Sequence, residues 1–164
     1  MSTPVSSLEI ELIAHATEDL EKVLKAARSI LPEKARDRVR FKVKEFKGHY
    51  GNPIRLLKAR VGKPALAQAI FEHIIASLPE EDKLALLSEL RRRTSGSSLY
   101  IRLDKQLALL GQVRLCSSDP IWIKFSFSSS RLEDIRKALL SAGAQARETD
   151  LASRPSTSSA GSSK

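Results

Sequence analysis

The chain has 164 residues and a formal net charge of +9, with 28 lysines and arginines against 19 aspartates and glutamates. Its hydrophobic content of 41% is ordinary for a globular domain, and no apolar run reaches the length of about 18 residues that a membrane span requires. A single cysteine, Cys116, excludes an internal disulfide, and the N-terminus lacks the basic region of a secretory signal, so we expect a cytoplasmic protein.

The first predicted elements are a strand and a helix. Apolar residues alternate with polar ones over residues 5–13, which predicts a strand. Thr17 is a good N-cap, and apolar residues at helical spacing follow it. We therefore expect a helix that begins after Thr17 and ends at Pro32.

Two further strands flank a short connection. The alternation in residues 39–44 predicts a strand with one apolar and one basic face, and a second strand is predicted over residues 54–61. The basic residues of the two strands are Arg40, Lys42, Lys44, Arg55, Lys58 and Arg60. The paired leucines at positions 56 and 57 break the alternation of the second strand, which indicates a bulge or a strand end.

This part of the chain holds most of the net positive charge. Between Lys34 and Arg60 there are ten basic residues and two acidic ones within 27 residues. A positive field concentrated on one element indicates a polyanionic partner, and RNA is the partner that we expect. The alternative is a solvated basic face that contributes to solubility alone.

The connection between the two strands, KGHYGN, contains more side chains with functional groups than a hairpin turn requires. Gly48 and Gly51 permit positive φ and close approach of backbone N–H groups to a phosphate, and Pro53 opens the next strand. We predict that the other side chains of the connection contact RNA, and these are Lys47, His49, Tyr50 and Asn52. The alternative is a polar turn in which glycine and asparagine only satisfy backbone geometry.

The rest of the chain supplies three helices and two strands. Helices are predicted over residues 64–78, 80–93 and 131–142, and strands over residues 98–104 and 120–127. The predicted order is β-α-β-β-α-α-β-β-α, which indicates an α+β fold with a mostly antiparallel sheet and helices packed on one face. Residues 1–148 would form one RNA-binding domain, and the Ser-rich residues 149–164 a disordered tail.

The two later strands add candidate RNA-binding residues to the open face of the sheet. Arg102 and Lys105 would extend the basic surface. Tyr100 and Trp122, interleaved with cations, would form a stacking platform, or else pair across strands or pack under a helix. We expect Trp122 to be buried.

The histidines give little sign of catalysis or metal binding. His15 and His49 lack the H-x-x-x-H spacing of a metal site, so we expect no metal, no other cofactor and no catalytic residue. An RNA-modifying or RNA-cleaving enzyme would require the two imidazoles to lie close together in a cleft.

Three segments in this order and spacing resemble a known family: HATED, KGHYGNPI and LYIRLDKQ. The chain resembles archaeal RNA-binding proteins that are predicted exosome subunits, over about residues 8–127. The resemblance implies an α+β fold like that of the large-subunit ribosomal protein that binds the small ribosomal RNA of that subunit. It also implies a role linked to RNA, with exosome or ribosomal components as further partners.

These observations predict a non-enzymatic RNA-binding protein that acts as an accessory of RNA processing. The basic strands and the hairpin would hold the RNA backbone with little sequence preference. The alternative is a protein-interaction module that docks on an acidic surface of a larger complex. An exposed edge strand would permit two copies to pair, and the sequence leaves the oligomeric state open.

Overall fold

The computed structural model describes residues 4–48 and 50–153, with side chains as far as Gly143. The strands are β1 Val5–Ala14, β2 Lys42–Lys47, β3 Pro53–Val61, β4 Thr94–Ser95, β5 Ser98–Asp104 and β6 Pro120–Phe127. The helices are α1 Leu20–Ser29, α2 Pro64–Ser77, α3 Glu80–Ser88, α4 Leu90–Arg93, α5 Lys105–Leu109 and α6 Leu132–Ser153.

The strands form one sheet in the order β2-β3-β1-β6-β5-β4, and each neighbouring pair is antiparallel. The predicted α+β class and the antiparallel sheet are therefore confirmed. The helices lie on one face of this sheet, where the alternating apolar residues of the central strands are buried.

The core lies between this face and the helices. Phe71 of α2 packs edge-to-face against Phe125 and Phe127 of β6, with ring centroids 5.0 and 5.5 Å apart. Among the described residues no helix covers the opposite face of the sheet, where the side chains are exposed or only partly buried.

The hairpin of β2 and β3 was predicted correctly, but its strands differ in detail. The strand β2 begins at Lys42, three residues later than expected, because Val39 is buried in the core before the strand starts. Val43, expected to face the core, is 44% exposed, since this edge extends beyond the helices. The predicted bulge in β3 is wrong, because Leu56 and Leu57 pair with β1 in continuous register.

The helices also show departures from the predicted bounds. The N-cap of α1 is Asp19, whose side chain accepts a hydrogen bond from the N–H of Glu21. The single helix expected over residues 80–93 is interrupted at Glu89, where the backbone leaves helical geometry. The short helix α5 was not predicted, although Asp104 caps it by accepting from the N–H of Leu107.

The last helix continues to Ser153, beyond the expected end at Ala142. The predicted tail, residues 149–164, thus begins inside α6 and continues outside the described residues, and its disorder stays a prediction. Among the residues that the structure describes, no helix has the length and the apolar content needed to cross a membrane.

Candidate nucleic-acid interface

The helix-free face of the sheet carries cations on four of its strands. Register places Lys42, Lys58, Glu11, Trp122 and Arg102 in one row of cross-strand neighbours. Neighbouring strands lie about 4.8 Å apart, so the row crosses most of the sheet. The expected open face with basic residues is therefore present, and two acidic residues of β1, Glu9 and Glu11, lie near its centre.

A basic groove occupies the β2–β3 side of this face. It has a volume of about 590 Å³, and its lining residues are Arg38, Arg40, Lys42, Lys44, Leu56, Lys58 and Arg60. All six of these cations are exposed. Arg40 lies just before β2 and still lines the groove. Six cations that converge on one groove produce a positive field suited to a chain of phosphates.

Nearby carboxylates affect only the inner part of the groove. Lys58 Nζ lies 3.3 Å from Glu11 Oε2, and Arg60 Nε lies 3.9 Å from Glu9 Oε2. Exposed pairs of this kind contribute at most about 1 kcal/mol, so both cations remain available to an anion. For the remaining four cations of the groove, no carboxylate of residues 4–48 or 50–143 lies within ion-pair distance.

The hairpin tip continues the face at one end of β2 and β3. Tyr50 is 87% exposed, and Lys47 and Asn52 are exposed beside it. His49, also predicted to contact RNA, lies outside the described residues. The tip therefore presents an aromatic ring and a cation to solvent.

The two glycines of the tip close the turn. Gly51 has φ of +84°, which a residue with a side chain rarely adopts. Gly48 donates its N–H to the carbonyl of Asn52, and a Cβ at Gly48 would lie 2.9 Å from that oxygen. The N–H of Gly51 donates to the carbonyl of Gly48 at 3.0 Å. Both of these N–H groups donate inside the hairpin, so the two glycines serve turn geometry, and the close approach of a phosphate to the backbone of the tip stays a prediction.

Two of the predicted contact residues lie elsewhere. Arg55 lies three positions before Lys58 and five before Arg60, and β3 has no bulge, so Arg55 is on the opposite face of the strand from both. Its cross-strand neighbour on β2 is Glu45. Lys105 is only 3% exposed and does not join the open face.

Lys105 instead lies at the centre of an ion-pair cluster. Its ammonium donates to the carbonyl of Ile13 at 2.7 Å and contacts Glu18 Oε1 at 2.9 Å and Asp119 Oδ2 at 3.0 Å. Lys105 is the first residue of α5, a helix that the local sequence pattern did not predict, and its side chain is buried there. The cluster ties the loop after β1 to the segment that precedes β6.

Asp119 is the member of the cluster that sequence analysis did not find. Its Oδ1 lies 3.0 Å from Nε2 of His15. Burial by itself raises the pKa of Asp119, but hydrogen bonds with His15 and Lys105 outweigh burial and hold that pKa below its ordinary value. The only signal in the sequence was an aspartate before a proline, a pattern common in turns.

The cluster also has the composition of a cation site. Single ligand atoms of His15, Glu18 and Asp119 all lie within 4.8 Å of one another. The ammonium of Lys105 already forms an ion pair with each of the two carboxylates, so a metal ion would have to displace it. Our expectation of no metal stays a prediction.

The fold brings the three segments of the family resemblance to one end of the sheet. Ala14, at the end of β1, pairs with Arg55 near the start of β3, just beyond the hairpin tip. Asp104, at the end of β5, pairs with Pro120 at the start of β6. The sequence places these segments up to about 90 residues apart, and only the antiparallel register makes them neighbours.

Tyr100 of β5 and Trp122 of β6 are exposed on the open face. Tyr100 is 45% exposed, and Trp122 is 39% exposed, so the expected burial of Trp122 is wrong. Tyr100 has Lys124 as its direct cross-strand neighbour, and Trp122 has Arg102. The two rings are not direct cross-strand partners, and neither packs under a helix.

The fold and this surface define an α+β sheet protein whose open face is basic. The chain belongs to an RNA-binding family, because the family model described as RNA binding matches residues 7–127. This match covers all six strands from within β1 to the end of β6.

Two curated relatives come from archaea. The chain is 37% identical over 121 residues to the uncharacterized protein MJ0213 of Methanocaldococcus jannaschii, which covers 71% of this chain and 80% of the relative. It is 32% identical over 117 residues to the RNA-binding protein PAB1135 of Pyrococcus abyssi, with 70% and 76% covered.

Solved structures share the fold. Protein AF2318 from Archaeglobus fulgidus, of the DUF54 family, has 30% identity and a TM-score of 0.70, and the match covers 84% of this chain and 99% of that one. The DUF54 protein Mth689 from Methanothermobacter thermautotrophicus has 27% identity and a TM-score of 0.67, with 83% and 98% covered.

Proposed function

We propose that the protein binds the RNA backbone through the basic groove and the hairpin tip, without catalysing a reaction. The observation that supports this proposal is the groove between β2 and β3, in which six exposed cations converge. The proposed contacts are Arg38, Arg40, Lys42, Lys44, Lys58 and Arg60 in the groove, and Lys47, Tyr50 and Asn52 at the tip. Arg102 extends this surface across the sheet, and His49 is kept as a proposed contact from the sequence.

The chemistry of the groove favours binding with little sequence preference. Lysine and arginine neutralise phosphates and release their condensed counterions, which is a gain in entropy independent of the bases. Within the described residues Lys42 and Lys44 form no ion pair, and the contact of Lys44 with the ring of Phe46 is a weak one at an exposed site, so both lysines can bind a phosphate at little cost. We therefore expect affinity to fall steeply as salt rises.

The test is a salt titration of RNA affinity with the triple variant Arg40→Ala, Lys42→Ala and Lys44→Ala. Loss of three phosphate contacts should reduce the slope of log K against log salt by about 2 to 3. Binding would be followed by anisotropy of labelled RNA at several salt concentrations.

The matched control removes three exposed cations from helix α1, and these are Lys22, Lys25 and Arg28. This variant has the same net charge as the groove variant but keeps the groove. Its salt slope should equal that of the unaltered protein. An unchanged slope in the groove variant would remove β2 from the interface.

The family resemblance supports a place for this protein in RNA processing, as an accessory of the exosome or of ribosomal components. Affinity purification from the source cells, with and without nuclease, tests this role. Co-purification of these components that is lost on nuclease treatment fits an RNA-mediated role. Retention after nuclease treatment would favour the alternative module that docks on an acidic protein surface.

A further inference from the structure

The open face carries a second hollow beside the basic groove, where β1, β6 and β5 run side by side. Its volume is about 610 Å³, and two exposed aromatic residues, Tyr100 and Trp122, line it. Ile13 and Leu56 add partly buried apolar surface. Large aromatic side chains exposed near the middle of a sheet are uncommon and indicate a binding surface.

The two rings are available to a ligand. Within residues 4–48 and 50–143, no other ring lies in stacking range of Tyr100 or Trp122, and no cation lies over either ring. The rings have the cations Lys124 and Arg102 as cross-strand neighbours, and Glu9 and Glu11 of β1 also line the hollow. Aromatic faces among cations are the usual platform for unpaired bases.

The charged neighbours of Trp122 complement one base in particular. Glu11 and Arg102 are its cross-strand neighbours on opposite sides, each about 4.8 Å away in the sheet. Guanine offers the N1–H and N2–H donors on one edge, and the O6 and N7 acceptors on the next. A carboxylate accepts the two donors, and an arginine donates to the two acceptors.

Glu11 retains capacity for this contact. Its Oε2 is 3.3 Å from Lys58 Nζ, and a carboxylate has about four acceptor sites in total. Both side chains are partly exposed, so the pair can rearrange at little cost.

We propose that this hollow binds an unpaired guanine of single-stranded RNA, stacked on Trp122 and Tyr100, with Glu11 and Arg102 contacting its edges. The proposal rests on the proposed function, because the basic groove holds the adjoining backbone. Leu56 lines both the groove and the hollow, so the two sites form one continuous surface. An RNA strand that crosses this surface places its phosphates at β2 and β3 and one base at β6.

The test uses the emission of Trp122, the only tryptophan of the chain. The full-length protein is titrated with three RNAs of about 10 nucleotides, within the range that a single-strand site covers. They are an all-uridine strand, the same strand with one central guanine, and a blunt duplex. Anisotropy of labelled copies gives the affinity in parallel.

The strand with one guanine should quench the emission of Trp122. It should also bind about tenfold more tightly than the all-uridine strand, because uridine cannot make the contacts of the guanine edges with Glu11 and Arg102. The duplex should bind the basic groove and leave the emission unchanged. Replacement Glu11→Gln should remove most of the preference for guanine, because an amide N–H₂ then faces the donors of the base.

Variants of Tyr100 separate stacking from charge. Tyr100→Ala should weaken binding of the guanine strand about tenfold and leave duplex binding unchanged, whereas Tyr100→Phe should retain both. The exposed Leu140 on α6 provides the matched control, and Leu140→Ala should change neither affinity.

The outcomes are distinguishable from failure of the proposed function. Salt-dependent binding of every RNA with unchanged Trp122 emission would overturn the base site and leave backbone binding intact. Equal quenching and equal affinity with guanine and uridine would overturn the guanine assignment. Absence of any anisotropy change would overturn both proposals.

Discussion

At the scale of single residues, Lys105 and Lys42 show how position decides the role of the same side chain. Lys42 is exposed on an edge strand and lines the basic groove. Lys105 has 3% of its surface exposed, and its ammonium contacts two carboxylates and a backbone carbonyl. A charge that is buried and paired acts on the stability of the folded state, whereas only an exposed charge can bind a polyanion.

Replacement Lys105→Met should therefore destabilise the protein without weakening RNA binding. The variant keeps an apolar side chain of similar length but leaves Glu18 and Asp119 without their cation. Because both carboxylates are partly exposed, we expect the free energy of unfolding to fall by about 2 to 3 kcal/mol, less than the roughly 3 to 5 kcal/mol of a fully buried pair. Urea unfolding gives the free energy, and Lys25→Met on α1 is the exposed control. Weaker RNA binding at unchanged stability would contradict this assignment.

Asp119 predicts a pH effect with a definite sign. Its pKa is lowered in the folded state, so the folded protein favours the ionised carboxylate. The stability it contributes is complete above the ordinary aspartate pKa of about 3.9 and is lost as pH falls through the lower folded-state pKa. Asparagine also tolerates the positive φ of 47° at this position.

The variant Asp119→Asn should thus be less stable than the unaltered protein at neutral pH, and the difference should shrink below about pH 4. Thermal unfolding measured from pH 7 to pH 3 checks this expectation. A difference that stays constant over the whole range would show that the carboxylate charge is not what stabilises the cluster.

At the scale of elements, the β2–β3 hairpin combines backbone geometry and ligand contact. Its glycines close the turn, while its exposed side chains face solvent at the end of the groove. The two functions use different atoms of the same segment. A change in the glycines should therefore affect the shape of the hairpin, and a change in its lysines should affect charge alone.

Replacement Gly51→Ala should destabilise the hairpin by about 1 kcal/mol, because alanine is strained at a φ of +84°. Gly51→Asn should recover most of this loss, since asparagine adopts positive φ more readily. Gly62→Ala is the control, because its Cβ would meet only the Arg60 side chain at an ordinary 3.6 Å. Hydrogen exchange of β2 amides gives the local stability, and equal exchange in all three variants would contradict the role of Gly51.

At the scale of the whole molecule, the sheet has one short and one long edge. The edge strand β4 has only two residues, whereas β2 has six, all of them exposed. Three of these six are lysines: Lys42, Lys44 and Lys47. Lysines on an edge strand oppose pairing with a second copy, because like charges would meet.

We therefore expect a monomer in solution, and we expect self-association once these charges are removed. The triple variant Lys42→Thr, Lys44→Thr and Lys47→Thr keeps strand propensity and abolishes the repulsion. Sedimentation velocity measures the change, and the α1 variant lacking Lys22, Lys25 and Arg28 is the control of equal charge. A monomeric threonine variant would show that other features protect the edge.

The local patterns of the sequence predicted most of the secondary structure. Alternation of apolar and polar residues gave the long strands, and the glycines before Pro53 indicated the hairpin. The helix α5 was missed because five residues carry too little periodicity to distinguish a helix from a strand end. Asp104, a good N-cap, was the signal that could have revealed it.

By itself, the sequence determined the fold class, the hairpin and the concentration of charge on one segment, because these depend on local periodicity and composition. The tertiary structure decided which charges share a surface. The continuous register of β3 places Arg55 on the other face of the sheet. Lys105 is buried at the start of α5, where it contacts Asp119. Trp122 is exposed because no helix covers the described part of the open face. Each of these outcomes depends on contacts between residues far apart in the chain, which no local pattern contains.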